Sequence, residues 1–218
     1  MTFRTEDLDA ACARVASLKQ LLETAFKGQW QDLVPAYNTL RIFVPFPKVY
    51  PQVLERVISD ALQAGPQYNA QSGQRHLSLP CWYDHESGPD LARLCSEKKL
   101  SQQELIALHS ERDYRVYAIG FTPGFPYLGP VDGRLASARL SSPRLKVAWG
   151  SVGIADTQTG IYPSASPGGW NIIGRCPIPL FYNDQEKPSL LEVGDTVQFE
   201  PVSRSQYLRL LKEYKREP

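Results

Sequence analysis

Two arginines in the second half of the chain, Arg144 and Arg175, carry planar guanidinium groups that can bind a phosphate or a carboxylate through paired hydrogen bonds. The dipeptides Gly150-Ser151 and Gly168-Gly169 lie in the same half, and backbone N–H groups exposed at such positions can form an anion-binding nest. The chain therefore carries groups that could hold an anion and stabilise negative charge that develops during a reaction.

Three uncharged side chains could act on a small polar ligand beside such an anion site. Gln158 and Tyr162 can orient the ligand by hydrogen bonds, and His109 titrates with an unperturbed pKa near ~6.5. Structural alternatives exist, because His109 could cap the last carbonyls of a helix and Arg144 could pair with a surface acid. For Gln158, Thr159 and Tyr162 the sequence leaves both a pocket role and a structural role open.

The segment that must position most of these groups runs from Gly120 to Pro177. It alternates glycine and proline, which fix unusual backbone angles, with aromatic residues, which offer rigid contact surface. We expect Gly120, Gly124 and Gly129 to form turns, and we expect Trp170 to belong to the core of the fold. A segment that specifies backbone shape so closely is where a function should be sought.

Composition limits the classes of function. The 24 basic and 23 acidic residues give a net charge of +1, which offers no electrostatic case for binding nucleic acid or an anionic membrane. No apolar run approaches the ~20 residues that span a bilayer, and the N-terminal seven residues are too polar for a signal peptide. We therefore expect a cytoplasmic protein.

The four cysteines are scattered and none forms a C-x-x-C pair. They are Cys12, Cys81, Cys95 and Cys176. This pattern is not that of a zinc site or a disulfide framework, so we expect reduced, mostly buried thiols and no metal site.

The distribution of glycine predicts two domains. Four glycines precede residue 120 and eleven follow from that residue onward. This shift predicts an α/β domain over residues 1–112 and a turn-rich β domain with a C-terminal helical tail over residues 113–218. The predicted fold class is α+β.

The first half has clear periodicities. Apolar residues three and four positions apart predict a helix from Leu8 to Ala25, and a second helix enters through Pro51. Alternating apolar residues predict strands over 38–44 and 77–81. Two short helices follow, of which the second opens with a capping box from Ser101 to Glu104.

The second half contains short apolar runs between turn signals, which favour an antiparallel barrel or sandwich. A C-terminal helix is predicted over residues 203–215. The predicted strands lie at residues 114–119, 145–147, 152–155, 171–173 and 196–199.

Ordered motifs over roughly residues 75–202 resemble the allophanate hydrolase subunit 1 family, which is also described as the carboxyltransferase domain, subdomains C and D. The resemblance begins with Gly88-Pro89-Asp90-Leu91 and Leu108-His109-Ser110. It continues through Gly120-Phe121-x-Pro123-Gly124-Phe125-Pro126-Tyr127-Leu128-Gly129, Pro143-Arg144, Gly150-Ser151-Val152-Gly153-Ile154-Ala155, Gln158-Thr159-Gly160-Ile161-Tyr162-Pro163, Ser166-Pro167-Gly168-Gly169-Trp170 and Ile173-Gly174-Arg175. It closes on Leu191-x-x-Gly194-Asp195-x-Val197-x-Phe199.

The resemblance implies a small α/β domain followed by a cyclophilin-like antiparallel β-barrel, and membership of a heteromeric enzyme. The family includes a component of ATP-dependent 5-oxoprolinase, so the implied reaction is ATP-driven opening of 5-oxoproline to glutamate. The implied partners are a homologous second barrel subunit and a third, hydrolase-like subunit. Two alternatives stay open: a carboxyltransferase-type subunit acting on urea-like amides, and an inhibitor of a sensor histidine kinase.

The resemblance also suggests roles for single residues. The expected catalytic residues are His109, Arg144, Gln158 and Tyr162. The residues expected to bind the cofactor, ATP, are Ser151, Gly153, Thr159, Gly168, Gly169 and Arg175. Because the chain has no Walker A motif and no Met-Lys-Met biotin attachment pattern, we expect ATP to bind with the partner subunits and no biotin to be attached here.

Two features depart from the family pattern. The family usually has a strand containing Gly-Asp before its first helix, whereas this strand is expected to be missing or replaced here. The family's usual Val-Pro-Ala-Gly is Val147-Ala148-Trp149-Gly150 in this chain, so a bulky Trp149 is expected beside the pocket.

Overall fold

The computed structural model describes residues 1–3, 7–25, 31–44, 51–63, 75–183 and 188–214. Its internal contacts divide the chain into a first unit, Met1–Arg75, and a second unit, His76–Pro218. This division differs from the boundary expected near residue 113, because the two short helices before that boundary belong to the second unit. The assignment of domains at residues 112 and 113 stays a prediction.

The first unit contains two helices and a hairpin. Its elements are α1 (Leu8–Ala25), β1 (Asp32–Ala36), β2 (Thr39–Phe43) and α2 (Pro51–Gln63). The helices α1 and α2 and the strand β2 confirm the sequence predictions, whereas β1 was not predicted. This unit has its own small apolar cluster, composed of Phe3, Ala11, Val15, Leu18, Leu22, Leu33 and Leu40.

The strands β1 and β2 pair antiparallel, with Leu33 opposite Ile42. The turn between them places Tyr37 in the left-handed region with a φ of 51°. Thr2 forms an isolated antiparallel bridge with Thr39, and the amide of Phe3 donates to the carbonyl of Asn38 over 2.7 Å. Residues at the described N-terminus therefore pair with β2, where the family's first strand was expected to be missing or replaced.

The second unit contains nine strands and three helices among its described residues. The helices are α3 (Leu91–Lys98), α4 (Gln102–Ser110) and α5 (Arg204–Tyr214). The strands are β3 (His76–Cys81), β4 (Asp113–Ile119), β5 (Pro126–Gly129), β6 (Arg144–Val147), β7 (Ser151–Ala155), β8 (Gln158–Ile161), β9 (Ser166–Gly168), β10 (Asn171–Arg175) and β11 (Thr196–Pro201). The predicted strands at 77–81, 114–119, 145–147, 152–155, 171–173 and 196–199 are confirmed.

The predicted capping box at the start of α4 is present. The Ser101 hydroxyl accepts a hydrogen bond from the Glu104 amide over 3.2 Å, and the Glu104 carboxylate accepts from the Ser101 amide over 2.7 Å. Two backbone donors that the first helical turn cannot satisfy are thereby paired.

The main sheet of the second unit runs in the order β10-β7-β8-β5-β4, and β4 also pairs with β11. These pairings are antiparallel, whereas β11 and β3 pair in parallel. The strands β6 and β9 form a separate two-stranded sheet, which we call the β6–β9 flap. The described strands of this unit thus form a mixed sheet that is mainly antiparallel.

The described strands form an open sheet, which differs from the expected closed barrel. Among the described residues, an isolated antiparallel bridge between Trp82 and Arg175 joins the two ends of the sheet. Pairing does not continue there because the chain turns after Trp82, and the Ser87 hydroxyl donates back to the Trp82 carbonyl over 2.7 Å. A continuous ladder around the sheet is therefore absent from the part of the chain described by the structure.

The interior of the second unit holds two apolar clusters. The larger one includes Leu105, Val116, Leu128, Ile154 and Phe199, each no more than 1% exposed. The smaller one, which we call the aromatic cluster, consists of Phe125, Val147, Ala155, Tyr162, Trp170 and Ile172, with Tyr127 packed against it. The four cysteines are free thiols, and Cys12, Cys81 and Cys176 are buried, as the sequence predicted.

A search of the described helices found none with the length and hydropathy needed to cross a bilayer.

Candidate functional site

A cavity of about 350 Å³ opens beside the aromatic cluster in the second unit. This volume lies in the range of small-molecule sites, ~300–1,000 Å³. Its aromatic walls are Phe121, Phe125, Tyr127, Tyr162 and Trp170. Its other lining residues are Arg139, Pro143, Pro167, Gly168 and Gly169. The segment from Gly120 to Pro177, which the sequence marked as shape-specifying, therefore forms every wall of this cavity.

The loop between β4 and β5 supplies one side of the cavity. The Phe125 amide donates to the Thr122 carbonyl over 3.0 Å, and the Gly120 amide donates to the Phe125 carbonyl over 3.0 Å. Gly124 has a φ of +80°, which favours glycine, and a Cβ there would lie 3.0 Å from the Leu180 carbonyl oxygen. This tight turn holds the neighbouring aromatic side chains at the cavity.

Phe121 has an unusual backbone and an unusual exposure. Its φ of 72° is strained for a bulky side chain, and 64% of the residue is exposed. Strained residues cluster at functional sites, where the surrounding structure holds them in place. Its ring meets that of Phe125 edge-on at a centroid distance of 5.7 Å, so Phe121 stands at the mouth of the cavity.

The base of the cavity is a set of aromatic rings packed edge to face. The Phe125 ring centroid lies 5.0 Å from Tyr127, 5.2 Å from Tyr162 and 5.4 Å from Trp170. Such geometry adds attraction beyond the burial of apolar area. The rings therefore form a rigid apolar surface against which the flat face of a small ring could pack.

Gly168, on β9, makes the closest approach to this surface. A Cβ at Gly168 would lie 2.3 Å from the Tyr162 hydroxyl oxygen, so a side chain there would collide with the ring. At Gly169 the nearest atom would be Cγ of Pro143 at 3.6 Å, which is an ordinary contact. Glycine at position 168 is thus required by the close packing of the β6–β9 flap on Tyr162.

Arg139 is the charged side chain among the lining residues in the described part of the chain. Its guanidinium carbon lies 6.0 Å from the centre of the Trp170 ring, and its Nε is 3.7 Å from Oδ2 of the exposed Asp156. Burial raises the pKa of the Tyr162 phenol, which therefore stays protonated at neutral pH. The cavity combines apolar walls with one cation at its rim, an arrangement suited to a compact ring that bears a carboxylate.

Three of the ten residues expected to form a site line this cavity, namely Tyr162, Gly168 and Gly169. The remaining seven lie elsewhere in the second unit. They are His109, Arg144, Ser151, Gly153, Gln158, Thr159 and Arg175.

His109 lies in the core with no exposed surface. Its Nδ1 is 2.7 Å from the Tyr83 hydroxyl and its Nε2 is 2.9 Å from Oγ1 of Thr159. The Thr159 hydroxyl in turn donates to the Gly153 carbonyl over 3.0 Å. His109, Thr159 and Gly153 thus form one buried hydrogen-bond chain away from the cavity, and the helix-capping alternative for the His109 ring does not apply.

Arg144 begins β6 and forms an ion pair with a buried acid. Its Nη2 lies 2.8 Å from Oδ1 of Asp90, whose side chain is only 6% exposed. Its Nη1 makes a long contact of 3.4 Å with the Trp170 carbonyl. The partner of Arg144 is therefore not the surface acid of the structural alternative, and the guanidinium lies behind the cavity wall.

The other expected residues are parts of the sheet. Gln158 begins β8 opposite Ala155, whereas Tyr162 follows the far end of the same strand. Ser151 is buried at the start of β7. Arg175 ends β10, and its side chain hydrogen-bonds Tyr207 of α5.

Seven lining residues were not assigned to a site by the sequence. Five of them had a signal, because Phe121, Phe125, Tyr127, Pro167 and Trp170 belong to the two quoted motifs that alternate glycine, proline and aromatic residues. Pro143 belongs to a motif of two residues. Arg139 lies outside every motif, so only the fold could identify it. Trp170 is 5% exposed and serves both in the predicted core and in the cavity wall.

Comparison with known proteins identifies, over most of the chain, the family that the sequence motifs resemble. The family model described as "Carboxyltransferase domain, subdomain C and D" matches residues 1–191. A Bacillus subtilis protein that is named as a subunit of 5-oxoprolinase is 36% identical over 202 residues, which cover 88% of this chain and 83% of that protein. A Haemophilus influenzae protein of the same name is 40% identical over 168 residues, which cover 77% of this chain and 78% of that protein.

Solved structures share the fold. A protein designated TTHA0988 superposes with a TM-score of 0.82 at 35% identity, covering 93% of this chain. The chain spans only 39% of that protein's length. The urea carboxylase of Kluyveromyces lactis superposes with a TM-score of 0.70 at 17% identity, covering 98% of this chain and 22% of that one. At that identity the likeness concerns the fold alone.

Proposed function

The chain belongs to the family of carboxyltransferase domains, subdomains C and D, and from this premise we propose that it is a subunit of an ATP-dependent 5-oxoprolinase. The reaction opens the lactam ring of 5-oxoproline and yields glutamate. The observation that carries the proposal is the identity of 36–40% to proteins named as 5-oxoprolinase subunits, over most of both chains.

The cavity supplies a physical argument for the substrate. 5-Oxoproline is a compact five-membered lactam with one carboxylate. Its ring can pack on the faces of Trp170 and Tyr127, and its carboxylate can pair with the Arg139 guanidinium at the rim. The protonated Tyr162 phenol lines the same cavity, where it can donate to a polar group of the ligand.

The groups expected to hold phosphate do not form a phosphate cradle in the described part of the chain. Arg144 is paired with Asp90, the Arg175 side chain bonds Tyr207, and Ser151 is buried within β7. We therefore assign ATP binding and phosphoryl transfer to the partner subunits. Its own residues bind the lactam and exclude water from one face of it.

This division of labour implies a heteromer. We propose a homologous second subunit and a third, hydrolase-like subunit in a cytoplasmic complex. We also propose that Gln158 and Thr159, on β8, and His109, on α4, support the site from outside the cavity. The cyclophilin-like character of the second unit also belongs to this proposal. It is supported by the isolated bridge between Trp82 and Arg175, which joins the two ends of the open sheet.

The proposal is tested by reconstitution. The chain is purified together with the proteins encoded beside it, and glutamate release from 5-oxoproline is followed with and without ATP. We expect turnover only in the complete mixture with ATP. Absence of turnover in that mixture would rule the proposal out, and urea and related amides serve as comparison substrates for a carboxyltransferase-type activity.

The role of the cavity is tested by Arg139→Gln in the same mixture. Loss of a charge-assisted hydrogen bond at a half-exposed site removes about 1.5 kcal/mol of binding, so we expect KM for 5-oxoproline to rise about tenfold. The matched control is Arg209→Gln, which neutralises an arginine of α5 that is also exposed and weakly paired. Equal KM values for the two variants would place the substrate elsewhere.

A further inference from the structure

Asp90 occupies the N-cap position of α3 but does not cap that helix with its side chain. Aspartate is favoured at this position because its carboxylate normally accepts from the free amides of the first helical turn. Here the carboxylate is turned away from the helix, and Oδ2 accepts from the Ile172 amide over 2.7 Å. The Asp90 amide also donates to the Ile172 carbonyl over 3.0 Å. The side-chain carboxylate and the backbone amide of Asp90 are thus both hydrogen-bonded to Ile172 of β10.

The approach of this segment to β10 depends on the glycine two residues earlier. A Cβ at Gly88 would lie 2.3 Å from the carbonyl carbon of Ile173, so only glycine fits. The motif Gly88-Pro89-Asp90 therefore brings a carboxylate against the strand that begins directly after Trp170. No part of the proposed reaction accounts for this motif.

The other carboxylate oxygen of Asp90 connects to the β6–β9 flap. Oδ1 accepts from Nη2 of Arg144 over 2.8 Å, and Arg144 lies opposite Gly168 in the pairing of β6 with β9. The Leu140 amide donates to the Gly169 carbonyl over 2.7 Å, which ties the preceding loop to the same flap. Pro143, Gly168 and Gly169, at the edge of the flap, form one wall of the cavity.

We infer that Asp90 and Arg144 are a positioning pair that fixes the cavity from behind. One oxygen of Asp90 holds β10 next to Trp170, and the other holds the flap that carries Gly168. Neither residue lines the cavity, so the pair acts through the wall residues and not on the ligand. A side chain that is 6% exposed gives this ion pair a fixed geometry that a surface pair lacks.

Arg93 provides a matched control within the same site. It also approaches Oδ1 of Asp90, at 3.4 Å, but it lies on α3 and is 41% exposed. Its other partners are Glu97 at 2.7 Å and, on β10, Oδ1 of Asn171 at 2.5 Å. It makes no contact with the β6–β9 flap that the described structure shows. Removing its charge therefore perturbs Asp90 and the start of β10 while leaving the flap attached through Arg144.

The first experiment measures hydrogen exchange in the whole chain by mass spectrometry, and it does not depend on the proposed reaction. In Arg144→Gln and Asp90→Asn, we expect the amides of residues 140–147 and 166–170 to exchange at least tenfold faster than in the unaltered protein. In Arg93→Gln, we expect a change of less than twofold over residues 140–147, because Arg93 contacts Asp90 and Asn171 but not that part of the flap. Unchanged exchange in Arg144→Gln, or equal acceleration in Arg93→Gln, would overturn the inference.

One further variant keeps the result interpretable. Arg144→Lys preserves a cationic donor for Asp90, and we expect its flap to exchange more slowly than in Arg144→Gln. Equal or faster exchange in Arg144→Lys would contradict a role for the ion pair. Should Asp90→Asn fail to fold, Arg144→Gln decides the test alone, because the Asp90 carboxylate then keeps the Ile172 amide at 2.7 Å and the Arg93 guanidinium at 3.4 Å.

The second experiment rests on the proposed function and uses the reconstituted complex. We expect Arg144→Gln to raise KM for 5-oxoproline about tenfold while kcat stays within twofold, because a misplaced wall weakens binding. A normal KM in a variant with fast flap exchange would overturn the link between the pair and the ligand. Absence of turnover in the unaltered complex would instead contradict the proposed function and leave the exchange result standing.

Discussion

At the scale of single residues, His109 is a titratable side chain that contributes hydrogen bonds to the core. The Thr159 hydroxyl donates to the Gly153 carbonyl, so its oxygen must accept from Nε2–H of His109. Nδ1 is then left to accept from the Tyr83 hydroxyl. This assignment satisfies both ring nitrogens of a neutral imidazole, and burial lowers the pKa of His109 to about 3.

The depressed pKa of His109 predicts a loss of stability in acid. The unfolded chain binds a proton at His109 below pH ~6.5, whereas the folded chain resists protonation until about pH 3, so stability falls as the pH falls through this window. From pH 6.5 to pH 5 the loss assigned to His109 is about 1.6 kcal/mol. Urea denaturation at both pH values should show this loss in the unaltered protein and its absence in His109→Gln.

The control for this measurement is His85→Gln. The side chain of His85 is 82% exposed, so this variant should keep the pH dependence of the unaltered protein. Identical pH dependence in the unaltered protein and both variants would show that His109 is not responsible.

At the scale of elements, β9 shows how a short strand can depend on one glycine. Gly168 contacts the Tyr162 ring so closely that any side chain must displace the ring or the strand, whereas Gly169 has ordinary space beside Pro143. The two glycines are adjacent and both line the cavity. They therefore offer a matched comparison of steric requirement and conformational freedom.

Alanine substitution at these two positions should have opposite effects. We expect Gly168→Ala to lower the free energy of unfolding by about 1–3 kcal/mol, because it overpacks a fixed contact. We expect Gly169→Ala to be neutral or to stabilise by up to about 1 kcal/mol, because it restricts the unfolded chain without a clash. Urea denaturation measures both, and similar losses in the two variants would show that the Tyr162 contact is not the cause.

At the scale of the whole molecule, each buried cluster among the described residues belongs to one unit. The cluster of α1 and the β1–β2 hairpin lies within Met1–Arg75, and the other two lie within His76–Pro218. A unit that buries its own core has the main requirement for folding by itself. The second unit also contains every residue that lines the cavity.

We therefore expect a fragment of residues 76–218 to fold independently. Circular dichroism in urea should show a single cooperative transition, since a compact domain of this size normally unfolds in one step. The matching control is a fragment of residues 113–218, which follows the boundary predicted from the sequence and lacks β3, α3 and α4. Cooperative unfolding of the shorter fragment alone would favour the boundary at residue 113.

Local sequence was sufficient for most elements of the fold. Apolar spacing predicted α1 and α2, alternation predicted β2 and β3, and Ser101 with Glu104 predicted the start of α4. These signals depend on residues only a few positions apart, so they can be read from the sequence. β1 was not predicted, because its five residues include a proline and no regular alternation.

The composition of the cavity could also be anticipated in part from the sequence. The motifs that alternate glycine, proline and aromatic residues mark where Phe125 and Trp170 lie, and these residue types carry rigid apolar surface wherever the fold places them. The same ordered motifs indicate the family, and the match of the family model to residues 1–191 confirms it.

Only the tertiary structure decided which polar groups face that cavity. Arg144 pairs with an aspartate 54 positions earlier, and His109 bonds a threonine 50 positions later. Gln158 and Tyr162 lie close in sequence but at opposite ends of β8. Exposure of a polar group depends on which distant strand or helix covers it, and spacing along the chain carries no record of that. The sequence alone thus determined the elements, the family and the aromatic walls, whereas tertiary contacts within the second unit placed Arg139 at the rim and Arg144 behind the wall.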